Sequence, residues 1–211
     1  MKKSTKTLVG MTMLTGLLVA SPATAANLIQ NPGFETGDLT SWLTFGVGTG
    51  ASVTVGAGNG PSAPGSFSAF MTDTIPANNL ALQQSTPVGS ASPGLVNFSF
   101  DLKGNTSLNG GVAFVHIFDI NSSGGVIDQG PGLLGPYFPS TSAWTTYSGS
   151  FTAPANVNRF TIEFDCTTGA AAGSAEAFYV DNVVLSQVPE PATLSLVSMG
   201  LLFLARRSRK A

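Results

Sequence analysis

The chain has 211 residues and a formal net charge of −2, but its charges are unevenly distributed. Seven of its nine lysines and arginines lie within the first six and the last six residues. The stretch 26–187 keeps two cations, Lys103 and Arg159, against ten acidic residues, a net charge of −8. Such a surface repels nucleic acid and anionic lipid headgroups and attracts divalent cations. This charge balance excludes nucleic acid as a partner.

The N-terminus has the layout of a secretory signal peptide. Three lysines precede the apolar stretch 8–20, Ser21-Pro22 interrupts it, and the small residues Ala23-Thr24-Ala25 follow. An apolar stretch of this length suits a signal helix and is too short to span a bilayer. We therefore expect residues 1–25 to be removed by signal peptidase, with a cut after Ala26 as the alternative.

The C-terminal segment, residues 188–211, has three parts in order. Pro189-Glu190-Pro191 forms a rigid start, the uncharged stretch 192–205 predicts a short hydrophobic helix, and a cluster of arginines and lysine closes the chain. The helix is short for a stable span, and the basic cluster would stay cytoplasmic. These features predict a transient membrane contact, with a plain C-terminal anchor as the alternative.

This order of parts resembles the PEP-CTERM sorting signal. The resemblance implies recognition by an exosortase and cleavage near Pro189, Glu190 and Pro191. It also implies a Gram-negative source that makes an exopolysaccharide. The expected location is therefore the cell surface or the extracellular matrix of a biofilm.

The middle of the chain alternates apolar and polar residues, which is typical of half-buried strands. The clearest cases are 95–103 and 159–165, while 111–120 is apolar on both faces and should be more central. Further predicted strands lie near residues 52–55, 66–72, 80–84, 144–151 and 176–185. Eight or more short strands predict an all-β, antiparallel β-sandwich over 26–187, with a jelly roll as the best candidate. Residues 121–142 form the longest region without clear strand character.

Three stretches resemble the galactose-binding-like jelly rolls of carbohydrate-binding modules. They are Asn27–Gly37, followed by Leu39 and Trp42, then Trp144–Pro154, and finally Phe178–Leu185. The resemblance implies a structural Ca²⁺ where the first and last strands meet, held by Glu35 and Asp181. Calcium takes six to eight oxygen ligands, so two carboxylates at one junction suit it. The alternative is that both are ordinary turn and edge residues.

A sugar site needs an exposed aromatic ring with polar neighbours. The resemblance places Trp42 and Trp144 in the core. Tyr137 and Phe138, in the long region 121–142, are then the candidates for an exposed ligand contact. They could equally plug the loop that carries them.

Nothing in the sequence requires catalysis. The only histidine, His116, lies in an apolar strand and is expected to be a core or sheet-face residue rather than a catalytic one. The only cysteine, Cys166, is expected to be a small core residue. No Gly-x-Ser-x-Gly, CxxC or HExxH pattern occurs. The leading hypothesis is an exported, exosortase-processed, non-catalytic surface or matrix protein that associates with exopolysaccharide. The alternatives are a specific carbohydrate-binding module for an external glycan and a small glycan-active enzyme.

Overall fold

The computed structural model describes residues 25–61, 66–139 and 141–187, and every regular element in these ranges is a β-strand. The predicted signal peptide, the C-terminal hydrophobic helix and Pro189-Glu190-Pro191 lie outside the described residues. The described ranges hold no helix long and apolar enough to cross a bilayer.

The described ranges contain eleven strands, all paired in antiparallel fashion. They are β1 Leu43–Phe45, β2 Ala51–Ala57, β3 Phe67–Asp73, β4 Asn79–Ser85, β5 Gly94–Leu108, β6 Val112–Ile120, β7 Val126–Asp128, β8 Leu134–Tyr137, β9 Thr145–Ala153, β10 Arg159–Thr167 and β11 Ala175–Gln187.

Two sheets stack face to face. The six-stranded sheet has the order β1-β4-β10-β6-β7, with β8 also paired to β6, and the five-stranded sheet has the order β2-β3-β11-β5-β9. From β3 onward, successive long strands cross between the sheets, which is the connectivity of a jelly roll. The predicted antiparallel β-sandwich is confirmed.

The region 121–142, predicted to lack strands, contains two short ones. Strand β7 has three residues and β8 has four, of which Gly135 and Pro136 are two. Strands this short show too few alternating residues to be recognised, and glycine and proline are depleted in strands. The three-residue β1 escaped prediction for the same reason.

The core lies between the sheets and is rich in phenylalanine. Phe160, Ile162 and Phe164 of β10 point inward and are fully buried. The ring of Phe164 meets that of Phe100, on the opposite sheet, edge to face at 5.4 Å between centroids. Cys166 is buried and its sulfur donates to the Glu176 carbonyl at 3.2 Å, so the thiol is a core residue as expected.

The first described segment closes the sandwich on the last strand. The Asn27 side-chain amide donates to the Val183 carbonyl at 2.9 Å, and its oxygen accepts the Leu185 amide at 3.0 Å. The Val183 amide donates to the Pro32 carbonyl at 2.9 Å. These bonds bring the loop that carries Glu35 beside Asp181 of β11.

One buried carboxyl lacks compensation. Asp119 of β6 points into the sandwich, is fully buried, and neither of its carboxylate oxygens has a hydrogen-bond partner in the described part of the chain. Burial raises the pKa of Asp119 to about 6, and the charge of Asp128, its register partner on β7, adds to the rise. The neutral acid is therefore the form that the fold favours.

This carboxyl should make stability fall as pH rises. Unfolded Asp119 ionises near pH 4 and folded Asp119 only near pH 6, so the native state holds one more proton in between. Through Asp119 alone, the free energy of unfolding should drop by up to about 3 kcal/mol over that window, with no further contribution from this residue above it, because a shift of one pKa unit corresponds to about 1.4 kcal/mol. Urea unfolding from pH 4 to 8 measures this drop. Asp119→Asn should remove that part of the slope, and an unchanged slope in the variant would contradict the assignment.

Candidate functional site

The structure brings Glu35 and Asp181 together where the first segment meets β11. A Cβ placed on Gly33 would lie 3.3 Å from Asp181 Oδ1 and 3.7 Å from Glu35 Cγ, so the backbone of Gly33 lies against both side chains. Gly60 lies against the second oxygen of Asp181. A Cβ placed on Gly60 would lie 3.2 Å from Asp181 Oδ2 and 2.7 Å from the Phe67 carbonyl oxygen. Glycines allow the backbone to approach the carboxylates this closely.

The two carboxylates are only partly satisfied. Glu35 Oε1 accepts the Phe67 amide at 3.0 Å, and Asp181 Oδ1 accepts the Asn182 amide at 2.6 Å. Asp181 is 1% exposed, and its Oδ2 has no hydrogen-bond partner within the described ranges. Burial raises the pKa of Asp181 to about 7; the Asn182 amide lowers it, and the charges of Glu35 and Asp101 raise it further. A buried carboxylate oxygen without a partner, beside a second carboxylate and a backbone carbonyl, fits the ligand preference of a hard cation.

Asn182 explains how the junction of Glu35 and Asp181 tolerates a third acidic residue, Asp101, nearby. Its backbone is left-handed, with φ of 49°, at an irregularity in the pairing of β11 with β5. Its side-chain amide donates to Asp101 Oδ2 at 2.7 Å, and Thr146 Oγ1 donates to Asp101 Oδ1 at 2.5 Å. An amide at position 182 therefore serves as a donor where a second carboxylate would face Asp101 and repel it.

A second polar site lies on the outer face of the six-stranded sheet. We call "the outer face" the side chains of β1, β4, β10 and β6 that point away from the core. Three registers define it: Leu43 is opposite Gln83, Gln83 is opposite Glu163, and Glu163 is opposite His116. Residues directly opposite in antiparallel strands share a face, so these four side chains form one row across the sheet.

A hydrogen-bond network fixes the polar centre of the outer face. His116 Nδ1 lies 2.7 Å from Asp165 Oδ2, and Asn79 donates to Asp165 Oδ1 at 2.7 Å. The Gln83 amide donates to Glu163 Oε2 at 2.5 Å. Burial and the neighbouring charge of Asp165 raise the pKa of Glu163, although Gln83 and His116 counteract the rise.

Apolar side chains border this network. Leu43 and Phe45 on β1 are 60% and 49% exposed, and Phe45 is opposite Ala81. On the other side, the ring of Phe118 stacks on the imidazole of His116 with centroids 5.3 Å apart. The outer face therefore combines exposed apolar groups with hydrogen-bonding groups held in fixed positions. His116, expected to be a core or sheet-face histidine, is on the sheet face.

Tyr137 and Phe138 lie elsewhere, at the edge formed by β8. Tyr137 is half-buried. Its ring packs on those of Tyr147 and Phe100, with centroids 4.4 Å and 5.8 Å away, so it fills the gap between the sheets. Phe138 is 67% exposed and lines a cavity of about 60 Å³ with the buried Glu176. The predicted pair is thus split, with only Phe138 available for contact. Of the two tryptophans expected in the core, Trp42 is buried and Trp144 is half-buried against Tyr179.

Comparison with known families identifies the end of the chain. Residues 187–210 match the model of the PEP-CTERM protein-sorting motif. The chain carries a PEP-CTERM sorting motif. The motif indicates an exported protein, as the sequence predicted, and the match covers only the C-terminal end of the chain. No curated protein matches the chain at a significant level.

Solved structures share the fold of the sandwich. The CBM22-1 xylan-binding domain of Xyn10C from Paenibacillus barcinonensis aligns with 81% of this chain and 99% of its own length, at 16% identity and a TM-score of 0.55. TmCBM61, solved with β-1,4-galactotriose, aligns over 76% and 97% at 17% identity and a TM-score of 0.51. The active domain of tailspike protein 4 of bacteriophage CBA120 aligns at a TM-score of 0.60 and 15% identity, over 75% of this chain and only 21% of its own. The sandwich therefore has the fold of carbohydrate-binding modules.

Proposed function

We propose that this PEP-CTERM protein is processed by an exosortase and binds polysaccharide, without catalysis, through the outer face of its six-stranded sheet. The observation that carries the proposal is the row of hydrogen-bonding side chains bordered by exposed Phe45 and Leu43. The expected location is the cell surface or the matrix, and the expected partner is exopolysaccharide. Structures named as xylan-binding and galactotriose-binding modules share the fold, which supports this choice of ligand class.

The chemistry of the outer face suits sugars. A sugar ring presents C–H groups that pack on aromatic and aliphatic side chains, and hydroxyls that both donate and accept hydrogen bonds. Gln83, Glu163 and His116 together offer amide donors, carboxylate acceptors and an imidazole in one row. Because hydrogen bonds hold these groups in place before any ligand arrives, little side-chain entropy is lost on binding. Because the row crosses four strands, its elongated shape suits an extended polysaccharide chain.

We also propose that Glu35 and Asp181 hold a structural Ca²⁺. The partnerless Oδ2 of Asp181 and the nearby Phe67 carbonyl supply the support for it. When bound, the ion would neutralise two carboxylates at the point where the first segment closes on β11. These residues would thereby fix the ends of the sandwich, 27–35 and 181–186, to one another.

The polysaccharide site predicts a selective effect of an exposed ring. Phe45→Ala should weaken polysaccharide binding about tenfold, equivalent to about 1.4 kcal/mol, because a ring contact with the sugar is lost. Affinity electrophoresis against the producing organism's exopolysaccharide and against xylan and β-1,4-galactan measures the change.

The matched control is Phe138→Ala, which removes another exposed ring, at the β8 edge. Binding that survives Phe45→Ala but falls with Phe138→Ala would move the site to the β8 edge. Absence of binding to every polysaccharide tested would reject the proposal.

The calcium site predicts stabilisation by Ca²⁺. At a free concentration of ~100 times Kd, Ca²⁺ should stabilise the fold by about 2.7 kcal/mol, and the melting temperature should rise by several degrees. Glu35→Gln keeps an acceptor for the Phe67 amide but removes the charge, so it should abolish most of this rise. Glu163→Gln, the same change on the other sheet, should keep it. Identical melting curves in Ca²⁺ and in chelator would contradict the site.

The sorting motif predicts a shortened mature chain. Intact-mass spectrometry of the protein from its native host should find a C-terminus near Pro189-Glu190-Pro191, without the basic cluster 206–210. Glu190→Ala should leave the tail attached. A native protein that retains Arg206 to Lys210 would show that no such processing occurs.

A further inference from the structure

We infer that His116, Glu163 and Asp165 form a site for one divalent transition-metal ion on the outer face, with Zn²⁺ as its natural probe. The protein would bind this ion without any sugar present, so the metal site does not rest on polysaccharide binding. It is also separate from the Glu35–Asp181 junction, which belongs to the other sheet.

The register of two neighbouring strands creates the site. Glu163 is directly opposite His116, and Asp165 is two residues farther along β10, on the same face. One ligand atom from each of the three side chains lies within 4.8 Å of the other two. Ligand atoms around a tetrahedral zinc ion lie about 3.3 Å apart at ordinary bond lengths, so small side-chain rotations complete the geometry.

The donor set selects the class of ion. Calcium and magnesium prefer oxygen ligands alone, whereas an imidazole nitrogen beside two carboxylates suits zinc, nickel or copper. Three protein ligands leave a coordination position for water or another oxygen ligand. His116 is 23% exposed, so the ion can enter from solvent.

Neighbouring amides support the ligands from behind. Asn79 donates to Asp165 Oδ1, Thr167 in turn donates to Asn79 at 2.6 Å, and Gln83 donates to Glu163 Oε2. Each carboxylate therefore has one oxygen fixed by an amide, which is the usual support for metal-binding carboxylates.

Charge gives an independent reason for a cation here. The side chain of Asp165 is 4% exposed, and a buried carboxylate is costly unless a cation compensates it. Across the described ranges the one contact of a basic side chain with a carboxylate at ion-pair distance is that of His116 with Asp165. Two carboxylates beside each other on a domain of net charge −8 therefore favour a divalent ion.

The sequence makes the test direct, because His116 is the only histidine in the chain. We would titrate Zn²⁺ into protein purified without a histidine tag, in saturating Ca²⁺, by isothermal titration calorimetry and by NMR of the single imidazole. We expect one bound Zn²⁺ per chain and a shift of the two imidazole proton signals that is complete at one equivalent. No shift of the imidazole signals would overturn the inference.

Two variants and one control locate the ion. His116→Gln and Glu163→Gln should each weaken Zn²⁺ binding at least tenfold, and Glu35→Gln should leave it unchanged. A cooperative thermal unfolding transition verifies that each outer-face variant is folded. Zn²⁺ affinity that stays at the wild-type value in both variants, or that is lost in Glu35→Gln alone, would place the ion elsewhere and refute the inference.

Discussion

The register of β10 is the constraint on which the rest of the structure depends. This strand lies between β4 and β6 and contributes to both sides of the six-stranded sheet. Phe160, Ile162 and Phe164 fill the core, and Glu163 and Asp165 stand on the outer face between them. A shift of one residue would exchange the two sets, burying both carboxylates among phenylalanines. Hydrophobic packing therefore fixes the positions of the polar groups to which we assign function.

The two candidate sites are built in different ways. At the junction of the first segment with β11, glycines and a left-handed asparagine bring Glu35 and Asp181 close together in a buried setting. The outer face is instead built on regular strands, where each side chain has a defined neighbour across the sheet. A change in one of these places acts on a different sheet from a change in the other, so single substitutions can test them separately.

Much of the fold could be predicted from the sequence, because long strands repeat the two-residue alternation of apolar and polar residues several times. Every strand of seven residues or more among the described ranges was predicted with ends within two residues, except that β5 continues five residues beyond its predicted end at 103. The short strands β1, β7 and β8 were missed, since three or four residues cannot display a period. The pairing of Glu35 with Asp181 could be expected only through a family resemblance, because 145 intervening residues separate the two in the chain.

The outer face was harder to foresee for a geometric reason. Alternation shows that Glu163 and Asp165 share one side of β10, but it does not show which strand lies next to them. Only the pairing of β10 with β6 places His116 opposite Glu163. Phe138 is exposed and stays a predicted ligand contact, whereas Tyr137 fills the gap between the sheets because β8 directs it toward Phe100.

The central claim is that this sandwich recognises polysaccharide on the outer face of its six-stranded sheet. Mapping amide chemical shifts during titration with exopolysaccharide oligosaccharides tests it most directly. The account predicts that the largest changes fall on β4, β10 and β6, together with the imidazole of His116. Changes confined to the β8 edge around Phe138, or to the five-stranded sheet, would contradict it.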